Sequence, residues 1–385
     1  MGVSVGSLIF FVAVFLSPVY LFPSGLPQPA DLVFLLFAGY VVLNALYGRQ
    51  EVRLPGFTLL WGALVLWVSV VAVSWAIIDG DGSLAFRALY YVYNLVVGVS
   101  VILFFRGRQS TEKVVIVSFV AALLLSFLGA IVDLGFGVRV TGFFNNPNQL
   151  GYFSLLSMAI VAVASRFSLS APVAMVGMVS GLIAAMAASS LAAWGGLLFL
   201  LAAYVVQNST GFSAVIKGVG AVASGVIAVL VVDVMQQGSL MGNVEARLDR
   251  APDKVSEVVE ERRYDRVLAH PEYWVLGAGE ANQSSQRFGG YAGAEVHSSL
   301  GALLLAYGAG PLLIFLFMLG ILVKRAPLSV GLVVLGVIFY SLTHMGLRFT
   351  PFWLLLAVIY VLYVDRLGRR SARNGVSPNV GAADA

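Results

Sequence analysis

"APVAMVGMVSGLIAAMAASSLAAWGGLLFLLAAYVV" fills positions 171–206 with hardly a polar side chain. As one helix it would be about 54 Å long, at 1.5 Å per residue. The hydrocarbon core of a bilayer is about 30 Å thick. The stretch is too long for one span, and its only interruption is Ser189–Ser190 in "AASSLAAW". A tight turn there, between two spans, is the expectation. That division decides on which side of a membrane everything downstream lies.

The rest of the chain is equally apolar. Its 385 residues are 59% hydrophobic and 11% charged, against about 25% charged in ordinary soluble domains. Long apolar runs predict an all-α, polytopic integral membrane protein, since barrel strands would alternate in short segments. The runs predict twelve transmembrane helices: 5–22, 31–47, 57–78, 84–105, 113–134, 150–165, 171–188, 190–206, 212–234, 299–323, 327–344 and 350–364. The first run has no basic n-region and no A-x-A site, so it reads as a retained span. Without cysteine, neither a disulfide framework nor a thiolate metal site can form.

Basic residues test the division of 171–206, because cytoplasmic loops carry the excess of Lys and Arg. With both ends inside, the inner side holds Arg49, Arg53, Arg106, Arg108, Lys113, Arg166, Lys217, Lys324, Arg325, Arg366, Arg369, Arg370 and Arg373. The short outer loops hold only Arg87, Arg139 and Arg348. A single fused span would turn thirteen against three into seven against nine. The predicted organisation is a membrane domain over 1–234, a periplasmic loop over 235–298, three further spans over 299–364 and a disordered cytoplasmic tail over 365–385. The first half of the loop has apolar residues at helical spacing among dense charges, which predicts an interfacial amphipathic helix. The tail arginines are expected on anionic lipid of the inner leaflet.

Three features could carry chemistry. The outer arginines Arg87, Arg139 and Arg348 break the charge asymmetry, and guanidinium suits bidentate phosphate recognition. Each could equally snorkel to the interface. His297 lies where the long loop re-enters the membrane, in "EVHSSLGALLLAYG". It could be a helix-start residue, or a general base working near neutrality. Asp79 and Asp81, in "IIDGDGS", could bridge a cation to phosphate, but Asp-Gly pairs more often simply make turns.

"TGFFNNPNQLGYFS", residues 141–154, clusters Asn145, Asn146, Asn148 and Gln149 beside Arg139. Proline keeps the preceding residue out of the helical region. Asn146-Pro147-Asn148 therefore ends an outer loop, with Asn148 able to cap the sixth span. Amides both donate and accept, so the same four residues could bind a hydroxyl-rich glycan.

The order "NNPNQLGYFS", "WVLGAGE", then "EVHSSLGALLLAYGAGPLLIFL" resembles the O-antigen ligase and polymerase superfamily of bacterial envelope proteins. The resemblance runs from about the fifth to the tenth span. It implies a glycosyltransferase at the periplasmic face of the bacterial inner membrane. The donor would be an undecaprenyl-diphosphate-linked glycan and the acceptor a glycan or lipid A-core hydroxyl, with neither metal nor cofactor. His297 matches the family's loop-end histidine. One of Arg262 and Arg263 matches its loop arginine, and Arg263 is taken as the candidate. The chain departs from the pattern in three places. Ser190 is followed by Leu191 and Ala192 where Ser-Arg-Gly is usual, Ala306 stands for a glutamate, and Ser298 for an asparagine.

The expected reaction is inverting glycosyl transfer, with His297 activating the acceptor and Arg139, Arg263, Arg348 and Arg87 holding the diphosphate. Membrane lipids are partners and nucleic acid is not. The rivals are a polysaccharide or lipid transporter, which would place ionisable groups near the bilayer midplane, and a non-catalytic subunit of an assembly complex.

Overall fold

The computed structural model describes residues 4–48, 54–133, 139–168, 171–208, 262–280 and 296–366, with the single positions 242, 245 and 249. Among the described residues all regular structure is helical: α1 (Val5–Leu16), α2 (Pro29–Tyr47), α3 (Gly56–Asp79), α4 (Ser83–Phe105), α5 (Thr111–Asp133), α6 (Pro147–Ala164), α7 (Pro172–Ala187), α8 (Leu191–Asn208), α9 (Tyr264–Ala269), α10 (Ser299–Ala302), α11 (Ala309–Arg325), α12 (Leu328–Thr343) and α13 (Thr350–Ile359). Wide π-helical turns continue α10 over Leu303–Tyr307 and α13 over Tyr360–Asp365.

Two helices form the axis. Every residue of α6 from Leu150 to Ala164 is buried, as is every residue of α13 from Pro351 to Ile359. A helix apolar all round belongs in an interior, and these two pack against each other, with α5, α7 and α8 also on α6 and α4 on α13. α8 and α12 approach closely because Gly196 and Gly336 meet. A Cβ on Gly336 would stand 2.9 Å from the Gly196 carbonyl oxygen, and small residues are what let helices meet closely in lipid.

The peripheral helices turn apolar side chains outward, including Leu32, Leu36 and Leu46 on α2 and Leu66 and Ile77 on α3. Soluble monomers rarely expose contiguous apolar patches beyond a few hundred Å². Six helices, α2 to α6 and α8, are long and apolar enough to cross a membrane, and four apolar helices of 10–17 residues accompany them. The protein is an all-helical, membrane-embedded one.

The tight turn expected in 171–206 is present. α7 stops at Ala187, Ser189 takes a positive φ of 51°, and α8 starts at Leu191. Contacts sort the helix ends into two sets. At one end, Arg106 pairs with Asp365, and Glu112 with both Arg166 and Arg366. At the other, residues 20–25 bond to 143–149, and Trp75 to Gly277.

Several expected boundaries change. The run 5–22 is helical only to Leu16, because Pro18 disfavours helix at the residue before it. The run 299–323 is not one helix. The chain breaks at Gly308, whose φ of 87° and ψ of 178° lie in a region essentially restricted to glycine. The sixth span begins at Pro147, with Asn146 as its cap rather than Asn148. Proline is suited to the first helical position, where its missing N–H would be unbonded anyway. The expected span 212–234, the tail beyond 366 and most of the loop 235–298 lie outside the described residues. Of the expected amphipathic helix, the described parts are Glu245 and Asp249, both helical, and its end, α9.

Candidate functional site

The loop from Arg139 to Asn146 is built from its two ends. At the end of α5, the Asp133 carboxylate accepts from Thr141 N at 2.7 Å, Thr141 Oγ1 at 3.1 Å and Gly142 N at 3.1 Å. At the start of α6, Asn146 Oδ1 accepts from Asn148 N at 2.8 Å, which satisfies a first-turn amide. The other amides anchor the loop sideways. Asn145 donates to the Phe22 carbonyl at 2.8 Å, and Gln149 donates to Ser24 Oγ at 2.9 Å. All four side chains of the Asn-rich knot thus have loop-shaping bonds.

So held, Arg139 reaches across to the α7–α8 turn. Its Nη2 donates to Asn148 Oδ1 at 2.8 Å and to the Ala188 carbonyl at 3.4 Å. The Asn148 carbonyl in turn accepts from Tyr340 OH at 2.7 Å. The Tyr340 ring stacks on Tyr152 at 4.2 Å and on His344 at 4.5 Å between centroids. His344 opens the α12–α13 connection and places Nδ1 3.0 Å from Thr343 Oγ1.

His297 arrives from the other side. Its backbone N–H donates to the Arg262 carbonyl at 3.1 Å, and its side chain is exposed. The cap of α10 is Ser298, whose Oγ accepts from Gly301 N at 3.1 Å and from Tyr264 OH at 2.9 Å. Ser299 Oγ donates to the His344 carbonyl at 3.0 Å and accepts from Gly346 N at 2.7 Å. The start of α10 is thereby latched to the α12–α13 connection.

Arg139 is linked to His344 through Asn148 and the Tyr340 ring, and the segment of His297 through the bond from Ser299 to the His344 carbonyl. Burial, then the charges of Arg262, His297 and Arg139, push the His344 imidazole down to about 3. His344 is neutral at ordinary pH, and with so low a value it is a poor general base. The charges of Arg139, Arg262 and His297 thus all act on one neutral, aromatic-stacked imidazole. Of the loop pair, Arg262 is the member that faces His344. Arg263 sits at the start of α9 with φ of 62°, and among the described residues its side chain forms no ion pair.

Arg87 and Arg348 belong to a second cluster, around Glu280. The Glu280 carboxylate pairs with Arg348, stands 3.5 Å from Arg87 Nη1, and accepts from Tyr307 OH at 2.7 Å. One buried carboxylate thus serves two guanidiniums. This differs from four arginines gathered on one diphosphate. Glu280 escaped the sequence reading because it carries no periodicity. Its only signal was its place after Gly277-Ala278-Gly279.

That Gly-Ala-Gly element has a visible task. Ala278 N and Gly279 N donate to the Leu305 and Ala306 carbonyls at 2.8 Å each, and Ala309 N donates to the Trp274 carbonyl at 2.7 Å. It satisfies the carbonyls that the π turn and the break at Gly308 would strand. The approach needs glycine at both Gly277 and Gly308. A Cβ on Gly277 would lie 2.4 Å from the Ala306 oxygen, and one on Gly308 2.2 Å from the Val275 oxygen.

Asp79 ends α3, and Asp81, which feels the Arg87 charge, shapes the turn that follows. Asp81 Oδ1 accepts from Ser83 N at 2.9 Å, the turn reading, and that bond with the Ser83 hydroxyl lowers its carboxyl from the usual range. Among the described residues, no three His, Asp or Glu side chains converge as a metal would require. The chain matches no protein-family model and no curated protein, so its chemistry rests on this site and on its motifs.

Proposed function

We propose that the protein is a membrane-embedded, inverting glycosyltransferase. It moves a glycan from a polyprenyl-diphosphate carrier to an acceptor hydroxyl at the face that carries Arg139, the periplasmic face by the charge asymmetry. The observation that carries the reading is that the segments of Arg139, Arg262 and His297 are linked at His344 by hydrogen bonds and ring stacking. A second observation bears on the departure from the resembled pattern. The turn after α7 lacks the arginine usual in Ser-Arg-Gly, but the Arg139 guanidinium lies against that same turn, bonded to the Ala188 carbonyl. A charge missing from the sequence there is supplied in space.

In the proposed reaction the acceptor oxygen attacks the anomeric carbon and its proton passes to the His297 imidazole. The bond from that carbon to the phosphate oxygen breaks, and the lipid diphosphate leaves with the electron pair. Arg139 and Arg262 stabilise the charge that develops on it. His297 then returns its proton to solvent. Ion-coupled transport is less well supported. Among the described helices, every Asp, Glu, Lys and Arg lies near a helix end, whereas coupling uses ionisable groups near the midplane.

The test uses purified full-length protein and an undecaprenyl-diphosphate-linked oligosaccharide. Since Ser298, not His297, caps α10, His297→Asn should leave the fold intact. Product formation should drop by about 10²–10⁴-fold, the usual worth of general base catalysis, while donor retention persists. Undiminished turnover would remove His297 from the chemistry. Loss of donor binding would move it to the phosphate site.

A further inference from the structure

At the opposite end of the bundle from Arg139, the ends of α6, α11 and α13 enclose a cavity of about 380 Å³. Four cations line it: Arg166, just past α6, Lys324 and Arg325 in the last turn of α11, and Arg366 after the π turn of α13. The ring of Tyr363 and the side chain of Leu362 supply an apolar wall. The Tyr363 hydroxyl is already spent on the Val163 carbonyl at 3.1 Å, so the ring rather than the hydroxyl serves the cavity.

The charges do not cancel. Glu112 Oε1 lies 2.9 Å from Arg166 and 2.7 Å from Arg366, so one carboxylate serves two guanidiniums. Lys324 and Arg325 pair with no carboxylate among the described residues. The neighbouring Arg106–Asp365 pair, at 2.8 Å, is neutral within itself. Among the described residues, four cations against one shared carboxylate leave the cavity positive, which is fit for a group with more than one negative oxygen.

The surroundings decide between a lipid and a soluble anion. Along the two helices that meet beside the cations, α11 exposes Leu313, Leu316 and Phe317, and α12 exposes Leu328 and Leu335. These are lipid-facing surfaces. A phosphate seated at Lys324 and Arg325 would have its acyl chains running along those side chains, and basic pockets between helices at the cytoplasmic side suit such headgroups. A soluble phosphate would use the cations and leave the apolar flank without a role.

We propose that this cavity binds the phosphate headgroup of an anionic phospholipid in the adjoining leaflet. The site is separate from the Arg139 and His297 cluster, and its test does not depend on any catalytic reading.

The experiment is native mass spectrometry of the purified full chain, titrated separately with phosphatidylglycerol, cardiolipin and phosphatidylcholine, each with and without inorganic pyrophosphate. The wild-type chain should retain the anionic lipids over phosphatidylcholine, and pyrophosphate should not displace them. Lys324→Gln with Arg325→Gln should weaken anionic-lipid retention on the order of 30-fold, from about fivefold per basic residue removed. The charge-keeping pair Lys324→Arg with Arg325→Lys should retain lipid, as should Arg108→Gln, which lies at the same end outside the cavity. Equal retention by the Gln pair, or no preference over phosphatidylcholine, would overturn the proposal. Displacement by pyrophosphate at comparable concentration would make this a soluble-phosphate site instead. Should the Gln pair fail to fold, each single Gln variant carries the same test at about a fivefold loss.

Discussion

At the scale of single residues, the chain uses polar side chains twice over. Arg139 closes a joint between the start of α6 and the α7–α8 turn, and it is also the cation proposed to meet the diphosphate. These roles make different demands. A joint needs any donor of suitable length, whereas a bidentate phosphate contact needs the planar fork. Arg139→Lys should therefore keep thermal stability near that of the wild type while product formation falls about 10-fold. Arg139→Ala should fall further, to about 100-fold, at the scale of one or two lost charge-assisted bonds of roughly 1.5–3 kcal/mol each. The measurement is initial rate beside a melting curve in detergent. An Arg139→Ala rate equal to wild type would reduce Arg139 to the joint. The sequence could name Arg139 and His297 as candidates because each stands out from its apolar setting. It could not show that Glu280 holds Arg87 and Arg348, since those pairings join positions far apart along the chain.

At the scale of elements, the segment 299–325 teaches most. Its apolarity reads as one span, yet it breaks at Gly308 and the loop segment 274–280 docks into the break. Hydrophobic periodicity does not register such a break, because apolar residues continue through it. Gly308→Ala should be costly. It adds a strained backbone of about 1–3 kcal/mol and a Cβ that would stand 2.2 Å from the Val275 oxygen. Gly320→Ala, in the same span with nothing within 4 Å of its new Cβ, should be neutral or slightly stabilising. Comparing the melting temperatures of the two variants checks this. A Gly308→Ala protein as stable as Gly320→Ala would mean that the break is not needed.

At the scale of the whole molecule, the division of 171–206 sets the frame. With the turn at Ser189 and Ser190, the basic residues Arg106, Arg166, Lys324 and Arg366 lie at one end, and Arg139 and His297 at the other with the carboxylate Glu280. The positive-inside rule then gives a sided expectation. In this cysteine-free chain, Gly82→Cys should react with a membrane-impermeant thiol reagent in intact cells, whereas Ser110→Cys should react only after lysis. The reverse pattern would invert the protein in the membrane and put the proposed glycosyl-transfer site on the cytoplasmic side.

Local information was enough for the helical class, the membrane setting and the turn inside 171–206. Each depends on composition, run length or a short polar interruption, all of which are properties of neighbouring residues. The start of α6 was nearly legible for the same reason, missing only by which asparagine caps it. Only the tertiary structure decided which cations share a site. It linked the segments of Arg139 and His297 at His344, and it gave Arg87 and Arg348 to Glu280. Such groupings arise when distant helix ends pack into one layer, and charge–charge energy depends on distance in space, which no spacing along the chain contains.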